Sequence, residues 1–75
     1  MEEFFLKTEY IELIKLLKLL RIAETGGHAK ILVEEGEILL NGVREYRKRA
    51  KLRSGDVIEA MGKKIIIHAT TGAKN

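Results

Sequence analysis

No cysteine occurs anywhere in this chain, and at 75 residues that absence decides what can hold it together. Neither a disulfide nor a thiolate zinc site can staple it, the two devices on which many small domains rely. A chain this short buries only about 60 % of the surface its unfolded form exposes, so its packing has little to spare. There is no proline or tryptophan, and the aromatic residues are Phe4, Phe5, Tyr10 and Tyr46. The core must therefore be built from Leu, Ile, Val and Ala. Hydrophobic residues at 45 % and charged residues at 33 % suit a globular unit rather than a disordered chain. The expected organisation is one domain over 1–75, with its core at about 8–69 and a polar, frayed tail over 70–75.

Hydrophobic spacing supplies the elements. The segment around Phe4 and Leu6 suggests a short edge strand. Thr8 offers a helix N-cap, with Glu9 and Glu12 where carboxylates favour a helix start. From Tyr10 to Arg21, the residues Tyr10, Leu13, Ile14, Leu17 and Leu20 recur at spacings of three and four, which predicts a helix with one buried face. Leu16 and Leu19 widen that face, and Lys15, Lys18 and Arg21 form a separate basic stripe.

Thr25 is placed to cap a second helix from about Gly26 to Glu35, with Ala29, Leu32 and Val33 inward and Gly36 as a left-handed stop. Glu34 and Glu35 sit at its end with the wrong sign for its dipole, so tertiary contacts must hold it. Strands follow at 37–40, 57–60 and 65–68. Asn41-Gly42 and Met61-Gly62-Lys63-Lys64 are the hairpin turns, and Val43 leads out of the first. The order predicts an α+β fold, two helices packed on a small antiparallel sheet.

Charge is divided unevenly. Residues 1–43 carry five bases against eight acids, whereas residues 44–75 carry nine bases against three acids. Six of the ten residues from Arg44 to Arg53 are basic (Arg44, Arg47, Lys48, Arg49, Lys51 and Arg53), and Glu45 is the acid among them. That run reads as a loop or irregular edge facing a polyanion. Arginine forks match phosphate geometry and stack on unpaired bases. Thr25-Gly26-Gly27-His28 is a second candidate, because glycines let a phosphate approach bare N–H groups at a helix start, and Lys30 lies one turn on. The helical stripe counts only if it points the same way as the 44–53 run.

Catalytic and metal constellations do not emerge. Ser54 stands in a turn without a histidine nearby, and His28 and His68 lack ligand spacing. Gly26-Gly27 lacks the Gly-Lys-Ser/Thr ending of a P-loop. No enzyme activity and no cofactor are expected. No stretch approaches the ~20 apolar residues of a membrane span. The acidic start Met1-Glu2-Glu3 is unlike a secretory signal, so the expected location is the cytoplasm with no membrane partner.

Together these pieces resemble the S-four-type RNA-binding domain, the alpha-L motif, and most closely its short stand-alone bacterial members of the YbcJ/YaaA type. The residues that carry the resemblance are Leu16-Leu17-Lys18-Leu19, Gly26-Gly27-His28-Ala29-Lys30, Glu35-Gly36-Glu37-Ile38-Leu39-Leu40-Asn41-Gly42, Arg47-Lys48-Arg49-Ala50-Lys51-Leu52 and Gly55-Asp56-Val57-Ile58, in that order. They span Tyr10 to Ile67. The resemblance implies RNA bound across the helices and the strand that follows. It carries RNA contact onto Lys18, Gly26, Gly27, Lys30, Arg47, Lys48, Arg49 and Lys51; the residue-by-residue reading adds His28 and Arg44. Where the larger family often opens its first helix with Arg-Leu-Asp, this chain has Tyr10-Ile11-Glu12, so that arginine's contacts do not transfer. Enzymes to which this domain is appended in other proteins lend it no catalysis here. The expected partner is structured RNA, ribosomal or transfer, bound by a monomer, on or off the ribosome. Docking of an acidic protein partner through the basic loop is the rival reading, and DNA binding a third.

Overall fold

The computed structural model describes residues 1–70. Its elements are strand β1 (Glu2–Leu6), strand β2 (Ile11–Glu12), helix α1 (Leu13–Leu19), helix α2 (Gly26–Glu34), and strands β3 (Ile38–Leu40), β4 (Val43–Arg44), β5 (Lys51–Leu52), β6 (Val57–Ala60) and β7 (Lys63–Ala69). Among the described residues, five strands form one sheet in the order β1-β7-β6-β3-β4, and β2 pairs with β5 in a small second ladder.

The expected α+β arrangement of two helices on a sheet is what the chain adopts. The sheet is antiparallel from β7 through β4, while β1 runs parallel to β7 and makes it mixed. Local hairpins account for the antiparallel part. Asn41 and Gly42, at φ +52° and +85°, turn β3 into β4, and Met61 and Gly62, at +51° and +79°, turn β6 into β7. Positive φ at both central positions matches the twist of the paired strands. The second turn is tighter than expected, and β7 already begins at Lys63. Asn41 also ties the first hairpin to β6: its Nδ2 donates to Asp56 Oδ1 at 3.1 Å and its Oδ1 accepts from the Val57 N–H at 2.9 Å.

The core is aliphatic. Leu13, Leu16 and Leu17 of α1 and Ala29, Leu32 and Val33 of α2 pack with Leu6, Ile38, Ile58, Ala60, Ile65 and Ile67 of the sheet. Leu19 lies outside this face and is exposed, because the helix turns its Leu13–Leu16–Leu17 stripe toward the sheet.

Helix α1 is shorter than its periodicity suggests. Thr8 does not cap it; the Thr8 hydroxyl donates to the Tyr10 carbonyl at 2.7 Å. Ile11 and Glu12 are instead extended, paired with Leu52 and Lys51 of β5. The opening N–H groups of α1, at Leu13 and Ile14, donate to the carbonyls of Ala50 and Lys48 at 2.9 and 3.3 Å. A distant loop thus does the work of a local cap. At the other end Arg21, at φ +60°, closes the helix, with the Ile22 N–H on the Leu17 carbonyl and the Arg21 N–H on that of Lys18, both at 3.0 Å.

Helix α2 forms as its sequence foretells. Thr25 Oγ1 accepts from the His28 N–H at 3.0 Å, and Gly36, at φ +74°, ends the helix. A side chain at 36 would also press on two exposed neighbours, which would have to shift by a few tenths of an ångström. A Cβ there would lie 3.1 Å from the Tyr46 hydroxyl and 3.3 Å from Arg44 Cδ. No helix of the described residues is long and apolar enough to cross a membrane. The expectation of a frayed tail falls, past Thr70, outside the described residues. The Thr70 N–H and hydroxyl both donate to the Leu6 carbonyl.

Candidate nucleic-acid interface

The run from Arg44 to Arg53 is not a solvated loop. Ala50 and Leu52 are buried in the core, and the carbonyls of Lys48 and Ala50 sit on the start of α1. Glu45 is a third anchor through its backbone, its N–H donating to the Ile38 carbonyl of β3 at 3.0 Å. It is 9 % exposed, and its carboxylate accepts the Arg47 backbone N–H at 2.9 Å and the Arg47 guanidinium at 2.9 and 3.0 Å. The Arg47 hydrogen bonds hold the Glu45 carboxyl below its ordinary range, against the opposing effect of burial. Docked at these points, the segment has little choice about where its cations project.

Lys48 and Arg49 project toward the helices. Together with Glu12, Ile14, Lys15, Lys18 and Lys30 they line a concavity of about 630 Å³. Two helices and the basic run, well apart in sequence, therefore contribute to one cationic surface. Five cations and one carboxylate line it, for a net of +4. Lys15 and Lys18, three apart on α1, share a face of the helix. The structure adds Lys15 to this group; its place in the basic stripe is the signal that pointed there.

Two of the five cations are held by acids from distant parts of the chain. Lys48 Nζ lies 2.7 Å from Glu34, and Arg49 spans both oxygens of Glu12 at 3.3 and 3.2 Å. The Lys48–Glu34 pair also answers the misplaced charge at the end of α2. Arg44 assists there, its Nε donating to the Gly36 carbonyl at 3.1 Å. Among the described residues, Lys15, Lys18 and Lys30 make no ion pair.

The remaining candidates are not part of the concavity's lining. Arg44 is on β4 at the α2 terminus, and Arg47 is joined to Glu45. Lys51, on β5, places its Nζ 4.9 Å from the centre of the Tyr10 ring, with Arg53 at 5.5 Å from the same centre. His28 folds back over its own helix start and stays exposed, its Nδ1 accepting the Glu24 N–H at 3.2 Å. With Thr25 accepting from the His28 N–H, the two residues form a reciprocal cap. Gly26 and Gly27 open α2, where N–H groups have no partner within the helix. Neither has a positive φ. A Cβ on Gly26 would meet no described atom within 4 Å, and one on Gly27 would meet only Thr25 Oγ1, at 3.9 Å. Nothing in the described fold requires glycine at either position.

Comparison with known proteins identifies the family. The family described as S4 domain matches residues 4–68. A protein of Escherichia coli (strain K12) named "Putative RNA-binding protein YbcJ" is 36% identical over 63 residues, covering 84% of this chain and 90% of that protein. "Probable ribosome maturation protein RlbA" of Bacillus subtilis (strain 168) is 42% identical over 55 residues, covering 73% of this chain and 78% of that protein. The solution structure of YbcJ from E. coli, described as revealing an αL motif involved in RNA binding, superposes with a TM-score of 0.70 at 37% identity, covering 92% of this chain and 89% of that one.

Proposed function

This chain belongs to the S4 domain family, and from that membership and the cationic surface we propose that it binds structured RNA, ribosomal or transfer, without acting on it chemically. The observation that carries the reading is the concavity shared by Lys15, Lys18, Lys30, Lys48 and Arg49. RNA duplexes offer phosphates and 2′-hydroxyls more readily than base edges, because the A-form major groove is too deep and narrow for side chains. A rigid set of cations on two helices and a docked loop matches such a ligand by spacing and shape. The N–H groups of Gly26 and Gly27 supply a further phosphate contact one turn from Lys30, and Arg44, Arg47 and Lys51 extend the positive field at its margins. His28 serves this site through the helix start that it caps. The relative named for ribosome maturation favours ribosomal RNA over transfer RNA as the ligand. The chain then acts as a monomeric binding unit in the cytoplasm.

The test is a titration of a fluorescent RNA hairpin, followed by anisotropy at several salt concentrations. With a net lining charge of +4, about four neutralised phosphates give a slope of about −3.6 in log affinity against log salt. A roughly fourfold rise in salt should then weaken binding about 150-fold. Replacing Lys18, Lys30 and Lys48 with alanine should remove most of the affinity and flatten the slope. All three are surface side chains, so the fold should persist. Wild-type affinity in that variant, or a salt-independent interaction, rejects the reading. Stronger binding to duplex DNA than to duplex RNA at equal salt rejects the preference for RNA.

A further inference from the structure

A second concavity, larger than the cationic one, lies between the β1–β2 segment and α1. It encloses about 800 Å³, and its walls include Phe4, Phe5, Tyr10 and Leu19. That volume is within the range of about 300–1,000 Å³ typical of small-ligand sites. Three of the chain's four Phe and Tyr residues gather here. Two of the apolar walls are left open to solvent: Phe5 is 54% exposed and Leu19 56% exposed. Phe5 points away from the core side of β1, where Leu6 is buried, and stacks on His68 of β7 with ring centres 5.1 Å apart. The floor is ordered by the Thr8 hydroxyl on the Tyr10 carbonyl.

The groove's lining balances two acids against two cations, but the two signs are engaged differently. Its acids are engaged elsewhere, Glu9 with Arg53 at 3.9 Å and Glu12 with Arg49 at 3.2 Å. Its cations, Lys7 and Lys15, make no ion pair among the described residues. Glu12 and Lys15 line both concavities, so the aromatic groove adjoins the cationic one. Tyr10 is already covered by Lys51 and Arg53 and Phe4 packs on the core, but Phe5 keeps one ring face free of His68, and that face beside unengaged cations complements a nucleotide, whose base is aromatic and whose phosphate is anionic.

We propose that this groove receives one unpaired base of the RNA whose backbone lies in the cationic concavity. The preferred ligand is then a duplex that carries an unpaired nucleotide, not a blunt duplex. The inference rests on the RNA binding proposed above and adds a site to it. A polypeptide strand adding to the open edge of β1 is less well matched, because Glu2 and Glu3 place charge along that edge, a common guard against strand pairing.

Two RNA hairpins, identical except for one unpaired terminal nucleotide, separate the two ideas. That nucleotide is 2-aminopurine, whose fluorescence falls on stacking. The wild-type chain should bind the hairpin with the unpaired base about tenfold more tightly and quench its fluorescence. Phe5→Ala with Leu19→Ala changes two exposed side chains outside the core. That variant should keep its affinity for the blunt hairpin, which also reports its folding, and lose both the preference and the quenching. Equal affinity of the wild-type chain for both hairpins overturns the proposal, as does a preference that survives in the variant. Failure of the wild-type chain to bind either hairpin overturns the RNA reading itself.

Discussion

Replacing Gly27 with alanine should strengthen the fold and weaken RNA binding, an opposition that few substitutions produce. Both signs come from the surroundings of the residue. The backbone at 27 is helical, and the new methyl would have only Thr25 Oγ1 within 4 Å, at 3.9 Å. Alanine therefore fits without strain, and it has less unfolded-state entropy to lose. The expected gain is about 0.5–1 kcal/mol. For a domain of this size that corresponds to a rise in Tm of about 2–8 °C. The same methyl stands beside the free N–H groups of the first turn of α2, where the proposed phosphate contact requires close approach. Losing one charge-assisted hydrogen bond, at about 1.5 kcal/mol, weakens binding about tenfold. Thermal unfolding by circular dichroism reads the first effect and hairpin titration by anisotropy reads the second. The pairing matters, because a variant that is more stable than its parent cannot owe weak binding to misfolding. If Gly27→Ala raises Tm and leaves RNA affinity unchanged, the start of α2 does not contact phosphate, and its glycines need another explanation.

Arg21→Gly should raise Tm by about 4–8 °C, because the residue closing α1 is held at φ +60°, where a side chain costs about 1 kcal/mol, and thermal unfolding reads it directly. Glu45 predicts an acid-sensitive step. Its folded-state pKa lies below the ordinary 4.5, so its stabilisation is complete above that value and fades as pH falls through the lower folded one. Denaturant unfolding from neutral to acidic pH should show this loss in the wild-type chain, and Glu45→Gln should lessen it while lowering stability at neutral pH by about 1 kcal/mol. An unchanged acid limb in that variant would mean that the Glu45–Arg47 contact does not stabilise the folded segment.

Elements specified by neighbours in the chain were legible before any coordinates. Helix α2 is the clearest case: Thr25 caps it and Gly36 ends it through bonds within a few residues. The two hairpin turns are equally local. What escaped was specified from a distance. Thr8 looks like the natural cap for α1, but residues 11 and 12 are claimed by β5, some 40 positions on, and the helix starts only at Leu13. The parallel pairing of β1 with β7 joins the two ends of the described chain, and nothing short-range in the sequence encodes such a pairing. The Arg44–Arg53 run reads as a loop because bases dominate it. Its hidden signal is the alternation Arg49-Ala50-Lys51-Leu52, where the small and apolar residues at 50 and 52 are buried and the bases between them are exposed. Of the ten candidate residues, Lys18, Lys30, Lys48 and Arg49 line the shared concavity and the other six do not. Which of them share one surface depended on the docking of that run.

The uneven charge distribution has the same origin. Acids of the first half meet bases of the second: Glu12 with Arg49, Glu34 with Lys48, Glu9 with Arg53 and Glu2 with Lys63. These are exposed pairs, each worth about 0–1 kcal/mol, so they do little for stability. Their consequence is positional. A free lysine or arginine loses up to about 2 kcal/mol of rotamer freedom when a ligand immobilises it. Lys48 and Arg49 have surrendered part of that freedom already, and a phosphate can replace a carboxylate that holds so weakly. The exchange also moderates the salt response, because a cation leaving a carboxylate for a phosphate releases fewer ions than one leaving solvent. A steep, fully cationic patch would attract any polyanion. Under the proposed RNA binding, one in which carboxylates hold some of the cations would favour the ligand whose phosphates can take those carboxylates' places at the required spacing, and would so turn a charge attraction into recognition of shape.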